Sequence, residues 1–187
     1  MSSNILNEET IKLDSSRYIV SKTDSKGIIT YGNDYFVEIS GYTESELIGE
    51  PHNIIRHPDM PRIIFKTLWV RLEKGENMIA VVKNMAKDGR AYWVTTEFET
   101  KRDRLTNEII GYTAFRKSAT DKAINEITPL YKTLKDIENK FDIDASLRYL
   151  TGYLEDKNKS YDEYIDEVIE NRGIFKIFFK AMKKIFS

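Results

Sequence analysis

The sequence predicts an α+β domain in which short helices lie on one face of an antiparallel sheet, followed by a helical region. Two patterns predict this fold class. Residues 17–118 begin with two strand-like segments and pass through several short helical segments. They end in three segments in which apolar residues recur at every second position, as in strands. From Ser118 onward the segments are charged and amphipathic, which is typical of helices. Asp144 and Ser160 mark the expected starts of further helices in this region.

The composition limits the class of protein. A chain of 187 residues can hold one domain with a sizeable core and an appendage. The formal net charge of -1 argues against a general attraction to nucleic acid. Cysteine is absent from the sequence, which excludes disulfides, thiolate catalysis and cysteine-ligated metals. Since no apolar run resembles a secretory signal or a membrane span, we expect a cytoplasmic protein.

The first elements of the domain are predicted from turn and capping residues. Residues 17–32 read as two strands joined by a tight turn, for which Gly27 supplies the positive φ. Asn33 is placed as the N-cap of a short helix. Thr43, with Glu46 three residues later, matches a capping box that opens a second short helix.

The segment PHNIIRHPDMP, residues 51–61, contains both histidines and three prolines. Because proline lacks a backbone donor and restricts the preceding residue, the segment cannot be one uninterrupted helix. Pro61 suits the first turn of a longer helix whose apolar residues recur at helical spacing. Gly75 is the expected end of this helix. Three strands are then predicted, over residues 77–86, 90–100 and 107–117.

Six side chains are candidates for a ligand site: Asn33, Arg56, His57, Asp59, Trp69 and Asn84. A pocket between a sheet and its helices needs only a few convergent polar groups. Asn84 lies in a predicted strand, where an amide is unfavourable, and an inward amide would suit a planar heterocycle with adjacent donors and acceptors. Arg56 suits a phosphate or a carboxylate, and Trp69 offers a stacking face.

Each candidate also has a purely structural interpretation. Trp69 at helical spacing is typical of a core residue, and Asn33 is explained by its capping role alone. Arg56 and Asp59 suit a local salt bridge that fixes the loop, and His57 suits a hydrogen bond to the backbone. The residues by themselves leave these alternatives open.

Metal binding and catalysis receive little support. His52 and His57 with Asp59 loosely suggest a metal triad, but their spacing is not that of a helical histidine pair and prolines intervene. The sequence has no nucleophile elbow, glycine-rich phosphate loop or H-E-x-x-H motif. We therefore expect a protein that is not an enzyme.

The run GYTESELIGEPHNIIRHPDMP, followed by LEKGE, VVKN, KDG and YWV, resembles the PAS domain of bacterial aerotaxis receptors over residues 17–120. Its HNxxRHPDMP motif is far more specific than the general PAS pattern. The resemblance implies a five-stranded antiparallel sheet, non-covalently bound FAD whose redox state reports electron transport, and a flavin site formed by the six candidates. One departure is Met78, which stands where flavin-binding relatives usually carry a tryptophan and lacks the indole.

The resemblance also suggests how the chain is divided. The expected parts are a polar lead (1–16), a PAS sensor domain (17–118), a helical signalling or interaction region (119–170) and a basic amphipathic helix (171–187). Aerotaxis receptors continue into a membrane anchor and a coiled coil, which are not found here. We therefore expect a separate membrane-bound chemotaxis receptor or another signalling protein as the partner. A homodimer through the PAS domain or flanking helices is also open.

The last residues form a distinct segment. Residues 172–187 alternate large apolar side chains with lysines and contain no acidic residue. This pattern suits intramolecular packing, a groove on a receptor, or the anionic inner face of a membrane. The sequence leaves the three open.

Three other functions remain as alternatives to a flavin sensor. A haem-binding PAS sensor would use His57 or His52 as an axial ligand. A ligand-free interaction module is favoured if Met78 has removed the cofactor. A flavoenzyme is favoured least, because neither a substrate channel nor an acid–base group can be identified in the sequence.

Overall fold

The computed structural model describes residues 7–170, together with 180–181 and 184–185. Residues 1–6 of the predicted lead lie outside this range. Most of the basic amphipathic helix predicted over 171–187 also lies outside it, and its four described residues are helical and exposed. Among the described residues, no helix is long and apolar enough to cross a membrane.

Six strands form one sheet within the part of the chain that the structure describes. They are β1 (Asn7–Thr10), β2 (Ile19–Asp24), β3 (Ile29–Gly32), β4 (Met78–Met85), β5 (Arg90–Arg102) and β6 (Ile109–Ser118). Five of them run antiparallel in the order β3-β2-β6-β5-β4, which confirms the predicted sheet. The sixth, β1, pairs in parallel with the start of β5 and was not predicted, because its residues NEET show no apolar alternation.

Six helices lie in residues 7–170: α1 (Asp34–Ser40), α2 (Glu44–Leu47), α3 (Arg62–Glu73), α4 (Asp121–Lys140), α5 (Ile143–Asp156) and α6 (Tyr161–Val168). The local signals of the first two are confirmed. Asn33 caps α1 by accepting the backbone N–H of Phe36, and Thr43 and Glu46 form the capping box of α2. Gly27 has a φ of 81° in the turn between β2 and β3, as its position predicts.

The proline-rich segment 51–61 forms no continuous helix, as predicted. It contains a single 3₁₀ turn at His52–Ile55 and leads to Pro61, which occupies the N-cap position of α3 with a φ of -65°. Proline offers no side-chain acceptor, so α3 has no local cap. The exposed N–H groups of its first turn therefore need an acceptor from elsewhere in the fold.

That acceptor comes from the helical region. Glu138 on α4 accepts the backbone N–H groups of Arg62 and Ile63, both at 2.8 Å. The hydroxyl of Tyr131, also on α4, donates to the carbonyl of Val81 on the edge strand β4 at 2.8 Å. Apolar residues of α4 and α6 belong to the same core cluster as those of the sheet and α3. Helices α4–α6 are therefore packed on α3 and β4.

The starts of α5 and α6 test two further local predictions. Ser160 caps α6 in a capping box with Glu163, as its position predicts. The start expected at Asp144 was too late in the chain, since α5 begins at Ile143 and its N-cap is Asp142, which accepts the N–H of Ala145. Both residues are aspartates, and capping strength alone does not separate them.

Candidate functional site

A cavity of about 240 Å³ lies between the inner face of the sheet and the wall formed by residues 51–56 and α3. Its lining is largely apolar on the helix side, where Phe65, Leu68 and Leu72 face Val82 and Phe98 of the sheet. Pockets that enclose whole drug-sized ligands measure roughly 300–1,000 Å³. The cavity therefore suits a planar ring system rather than a whole dinucleotide.

Two of the predicted residues, Asn84 and Arg56, meet at this cavity. Asn84 on β4 is 4% exposed, and its backbone forms an isolated bridge with that of Arg56. Asn84 Nδ2 and Arg56 Nη2 are both buried without a close hydrogen-bond partner in the protein, and the hydroxyl of Tyr92 beside Asn84 is also buried without one. An unsatisfied buried donor costs about 1–3 kcal/mol, so the pair favours a ligand that presents acceptors to it.

The side chain of Arg56 is held by an aromatic ring. Its guanidinium carbon lies 3.9 Å from the ring centroid of Phe65, a cation–π distance. Burial lowers the pKa of Arg56 from its ordinary value, and Glu138 opposes this shift. The alternative of a salt bridge between Arg56 and Asp59 was wrong, because the carboxylate of Asp59 pairs with Lys83 at 2.7 Å.

Trp69 lies at the mouth of the cavity. Its side chain on α3 is 37% exposed, so it is not the buried core residue that helical spacing suggests. The indole meets Tyr112 edge-on, with ring centroids 5.2 Å apart. Lys26 also lines this end of the cavity.

Three predicted site residues do not line the cavity. The amide of Asn33 is hydrogen-bonded to the backbone, since Oδ1 accepts from Val20 and Phe36 and Nδ2 donates to Tyr18. It ties the start of α1 to β2, which is the structural interpretation. Its assignment to a flavin site stays a prediction, as no ligand contact tests it.

His57 and Asp59 also lie beside the cavity rather than in its lining. The buried ring of His57 accepts the backbone N–H of Asp59 through Nδ1 at 3.1 Å. This is the hydrogen bond to the backbone that the structural interpretation of His57 predicts. Burial and the nearby Lys83 lower the pKa of His57, while Asp59 opposes them. Their flavin contacts stay predictions. The described residues contain no cluster of three or more side chains that could hold a metal ion.

Three polar residues that line the cavity and contact one another were missed by sequence reasoning. They are Arg116, His52 and Ser21. Arg116 on β6 is 2% exposed and donates to Ser21 Oγ and to His52 Nε2, both at 2.9 Å. Burial, together with Arg116, lowers the pKa of His52 to about 3, so its ring is neutral and Nε2 is an acceptor. The available signal was the period of β6, which places Arg116 on the face of Tyr112 and Ala114.

Met78, the departure from the flavin-binding pattern, is buried at the start of β4. It lies opposite Phe98 of β5, which lines the cavity, but Met78 itself does not. The missing indole therefore affects the packing behind the lining rather than the lining itself.

Comparisons with known proteins agree with this geometry. Residues 29–114 match the family model described as PAS fold. The light-state structure of the blue-light photoreceptor Aureochrome1 LOV matches 59% of this chain and 88% of its own, with a TM-score of 0.53 and 19% identity. A light-oxygen-voltage domain studied with a flavin analogue matches 66% and 87%, with a TM-score of 0.50 and 22% identity. These structures show the fold alone. The fold of this chain is therefore a PAS fold.

Two relatives are similar to this chain in sequence. Over 116 residues, 62% of this chain, the sequence is 45% identical to the aerotaxis receptor of Escherichia coli K12. Over 81 residues, 43% of this chain, it is 28% identical to the biofilm dispersion protein BdlA of Pseudomonas aeruginosa. The chain spans only 22% and 19% of these relatives. The resemblance to the PAS domain of aerotaxis receptors is thus confirmed, and it concerns that domain.

The mouth of the cavity gives a first prediction. A Cβ at Gly27 would lie 3.1 Å from the indole of Trp69, and the residue has a φ of 81°. Gly27→Ala is therefore expected to displace Trp69 and to lower stability by about 1–2 kcal/mol through the left-handed backbone. The measurement is Trp69 fluorescence in a Trp93→Phe background, with urea unfolding alongside.

Gly49→Ala is the matched control for this variant. Gly49 has a φ of 91°, but a Cβ there would meet nothing within 4 Å. It should lower stability to a similar degree and leave the emission of Trp69 unchanged. Identical emission spectra for the two variants would contradict the assigned contact.

Proposed function

We propose that this chain is a PAS-domain redox sensor that binds FAD non-covalently in the cavity and signals through redox-dependent contact with a membrane-bound chemotaxis receptor. The observation that carries the proposal is the pair of buried donors without a partner, Asn84 Nδ2 and Arg56 Nη2, on a cavity of about 240 Å³. The likeness to the PAS domain of an aerotaxis receptor supports the same function.

The residues at the cavity fit a flavin ring. The flat faces of the ring would lie against apolar side chains such as Leu68 and Val82. Its polar edge offers hydrogen-bond acceptors to the two unpaired donors, on Asn84 and Arg56. Because the cavity is too small for a dinucleotide, the remainder of FAD would extend towards the mouth, where Lys26 can neutralise phosphate charge.

When bound, the flavin supplies a redox couple whose reduction adds a proton or a negative charge to the ring. The amide of Asn84 can respond because it carries both a donor and an acceptor. If Asn84 must reorient or lose a hydrogen bond, the free-energy difference is about 1–3 kcal/mol. A difference of that size changes a two-state equilibrium by roughly tenfold or more.

The surrounding contacts offer a route from Asn84 to the surface. Its backbone bridge to Arg56 connects β4 with the segment that leads into α3. Helix α3 and β4 in turn hold α4 through Glu138 and Tyr131. We propose that a change at Asn84 alters the docking of α4–α6 and thereby the surface presented to the receptor. The output is a binding equilibrium and requires no turnover.

An absorption spectrum of the purified protein, with and without added FAD, tests this function. Flavin bands in the near ultraviolet and blue are expected, and Asn84→Ala is expected to weaken FAD binding by about tenfold or more. Asn77→Ala is the matched control, because this exposed amide on the loop before β4 pairs with Glu99 at the surface. A wild-type protein that binds no added FAD would end the proposal.

The redox step needs its own measurement. Hydrogen exchange of α4–α6 is expected to differ between the oxidised and the chemically reduced holoprotein. Affinity for the cytoplasmic part of a chemotaxis receptor from the same cell should differ in parallel. Equal exchange and equal affinity in both redox states would rule out this route even if FAD binds.

The geometry favours flavin over haem. His57 is outside the lining, and Nε2 of His52 already accepts a hydrogen bond from Arg116 and lies 2.8 Å from Ser21 Oγ. Nε2 of His52 is therefore not free to bind an iron atom, and His57 does not reach the cavity. The same spectrum separates the two cofactors, since haem would give a Soret band.

A further inference from the structure

Arg116 is a buried charge without a carboxylate partner among the described residues. Its hydrogen bonds go to the hydroxyl of Ser21 and to the neutral ring of His52. By contrast, the partly buried Arg71 forms a bidentate pair with Asp162 at 2.7 and 2.8 Å. A buried guanidinium normally has an anion beside it, because desolvation of an unpaired charge is strongly unfavourable.

The charged side chains that line the cavity all have the same sign in the described part of the chain. Of the described residues that line it, Lys26, Arg56 and Arg116 are cationic and none is an aspartate or glutamate. Fixed charges of one sign in a hollow with apolar walls focus the potential on whatever enters it. A neutral His52 does not change this sum, since its pKa is lowered to about 3.

We infer that Arg116, held by Ser21 and His52, is a ligand-binding residue that receives an anionic edge, or an edge that gains negative charge, at the sheet side of the cavity. The ligand class is a planar ring compound that is anionic or reducible. Its identification as flavin rests on the proposed function. With flavin bound, Arg116 favours the reduced ring and raises its midpoint potential, because reduction brings negative charge towards the guanidinium.

A purely structural role for Arg116 makes the opposite prediction. In that case the side chain would serve only to tie β2 to the 51–61 segment, and its removal would destabilise the free protein. If the charge instead awaits a ligand, Arg116→Met should leave the free protein as stable or more stable, since an apolar side chain of similar length replaces an uncompensated charge. Ser21 Oγ and His52 Nε2 already lie 2.8 Å apart, so they can stay bonded to each other when Arg116 is removed.

The experiment compares wild type, Arg116→Met and a control, Arg90→Met, which removes an exposed arginine paired with Asp88 on the same sheet. Thermal unfolding of each apoprotein, FAD affinity and the midpoint potential of the bound flavin are measured. For Arg116→Met we expect an unchanged or higher apoprotein Tm, at least tenfold weaker FAD binding and a lower midpoint potential. A lower apoprotein Tm with unchanged affinity and potential would overturn the inference.

A second probe separates this inference from the proposed function. If wild type binds no flavin, the proposed function fails, and 4-hydroxybenzoate and its uncharged amide then test the cavity directly. The carboxylate should raise the Tm of the wild-type protein more than the amide does, and Arg116→Met should abolish that difference. Equal effects of the two compounds on the wild-type protein would overturn the inference for Arg116 as well.

Discussion

Replacing Glu138 by alanine is expected to lower the free energy of unfolding by about 2 kcal/mol or more, because two backbone donors lose their acceptor at about 1–3 kcal/mol each. The side chain of Glu138 has 0% exposure, and its oxygens accept from Arg62 and Ile63 at the start of α3. Pro61 provides no cap of its own there. The carboxylate also lies at the positive end of the helix dipole, which stabilises it further.

Urea unfolding of three variants measures this effect. Glu138→Gln keeps one carbonyl oxygen and should fall between wild type and Glu138→Ala, since an amide can accept from only one of the two donors at full strength. Asp144→Asn is the matched control, because it removes an exposed ion pair with Lys66 between α5 and α3. We expect little change from that variant, as exposed ion pairs contribute little. A Glu138→Ala protein as stable as Asp144→Asn would contradict the assigned role.

The same variants test the coupling of α4–α6 to the sensor domain. If Glu138 connects α4 to the wall of the cavity, Glu138→Ala should increase hydrogen exchange in α4 and in the first turn of α3 together. Its effect on β3 should be small, because β3 lies at the opposite edge of the sheet. Increased exchange that is uniform over the chain would indicate global destabilisation instead.

The elements that could be predicted from the sequence are those whose signals are local. The cap at Asn33, the capping boxes at Thr43 and Ser160 and the turn at Gly27 each depend on residues a few positions apart. Alternating apolar residues likewise predicted β4, β5 and β6. These signals operate before tertiary contacts form, so they can be read without the fold.

The contacts that could not be predicted join residues far apart in the chain. Arg116 meets Ser21 across 95 positions, and Glu138 meets Arg62 across 76. An arginine followed by lysine near a strand end is typical of a solvent-exposed position, and a glutamate in a charged helix is too. Only the assembled fold shows that both side chains are buried.

The candidate site divides in the same way. Arg56, Trp69 and Asn84 line the cavity, as the motif and the strand period suggest. His57 occurs in the motif and Asn33 precedes it, but the amide of Asn33 and Nδ1 of His57 are hydrogen-bonded to the backbone. A motif identifies the segment that builds a wall, whereas the direction of each side chain depends on what packs behind it.

Lowering the pH from 6.5 to 4.5 is expected to destabilise the protein by roughly 2–3 kcal/mol through His52, at about 1.4 kcal/mol per pH unit for one proton. Burial and Arg116 lower the pKa of folded His52 from 6.5 to about 3. In the unfolded chain the ring takes up its proton near pH 6.5. Between these values the unfolded state binds more protons, so stability falls as the pH falls.

The groups around His52 explain why the folded ring resists protonation. Arg116 on β6 donates to Nε2, Ser21 on β2 contacts the same nitrogen, and Phe36 on α1 stacks on the ring with an interplanar angle of 6°. A proton on Nε2 would face the guanidinium and break its hydrogen bond. Carboxylates with lowered pKa values, such as Glu46 at about 2, lose most of their contribution below pH 4.5, so the histidines dominate the change above it.

Urea unfolding of wild type, His52→Gln and His57→Gln between pH 4.5 and 7.5 measures the effect. Glutamine at position 52 can still accept from Arg116 through its carbonyl but takes up no proton, so the slope of stability against pH should fall by close to one proton. His57→Gln removes the only other histidine, whose pKa is also lowered by burial, and should reduce the slope by less. His57 is the smaller contributor because Asp59 favours its protonated form. An unchanged slope in His52→Gln would show that His52 gains its proton in the folded protein, and that Arg116 does not hold it neutral.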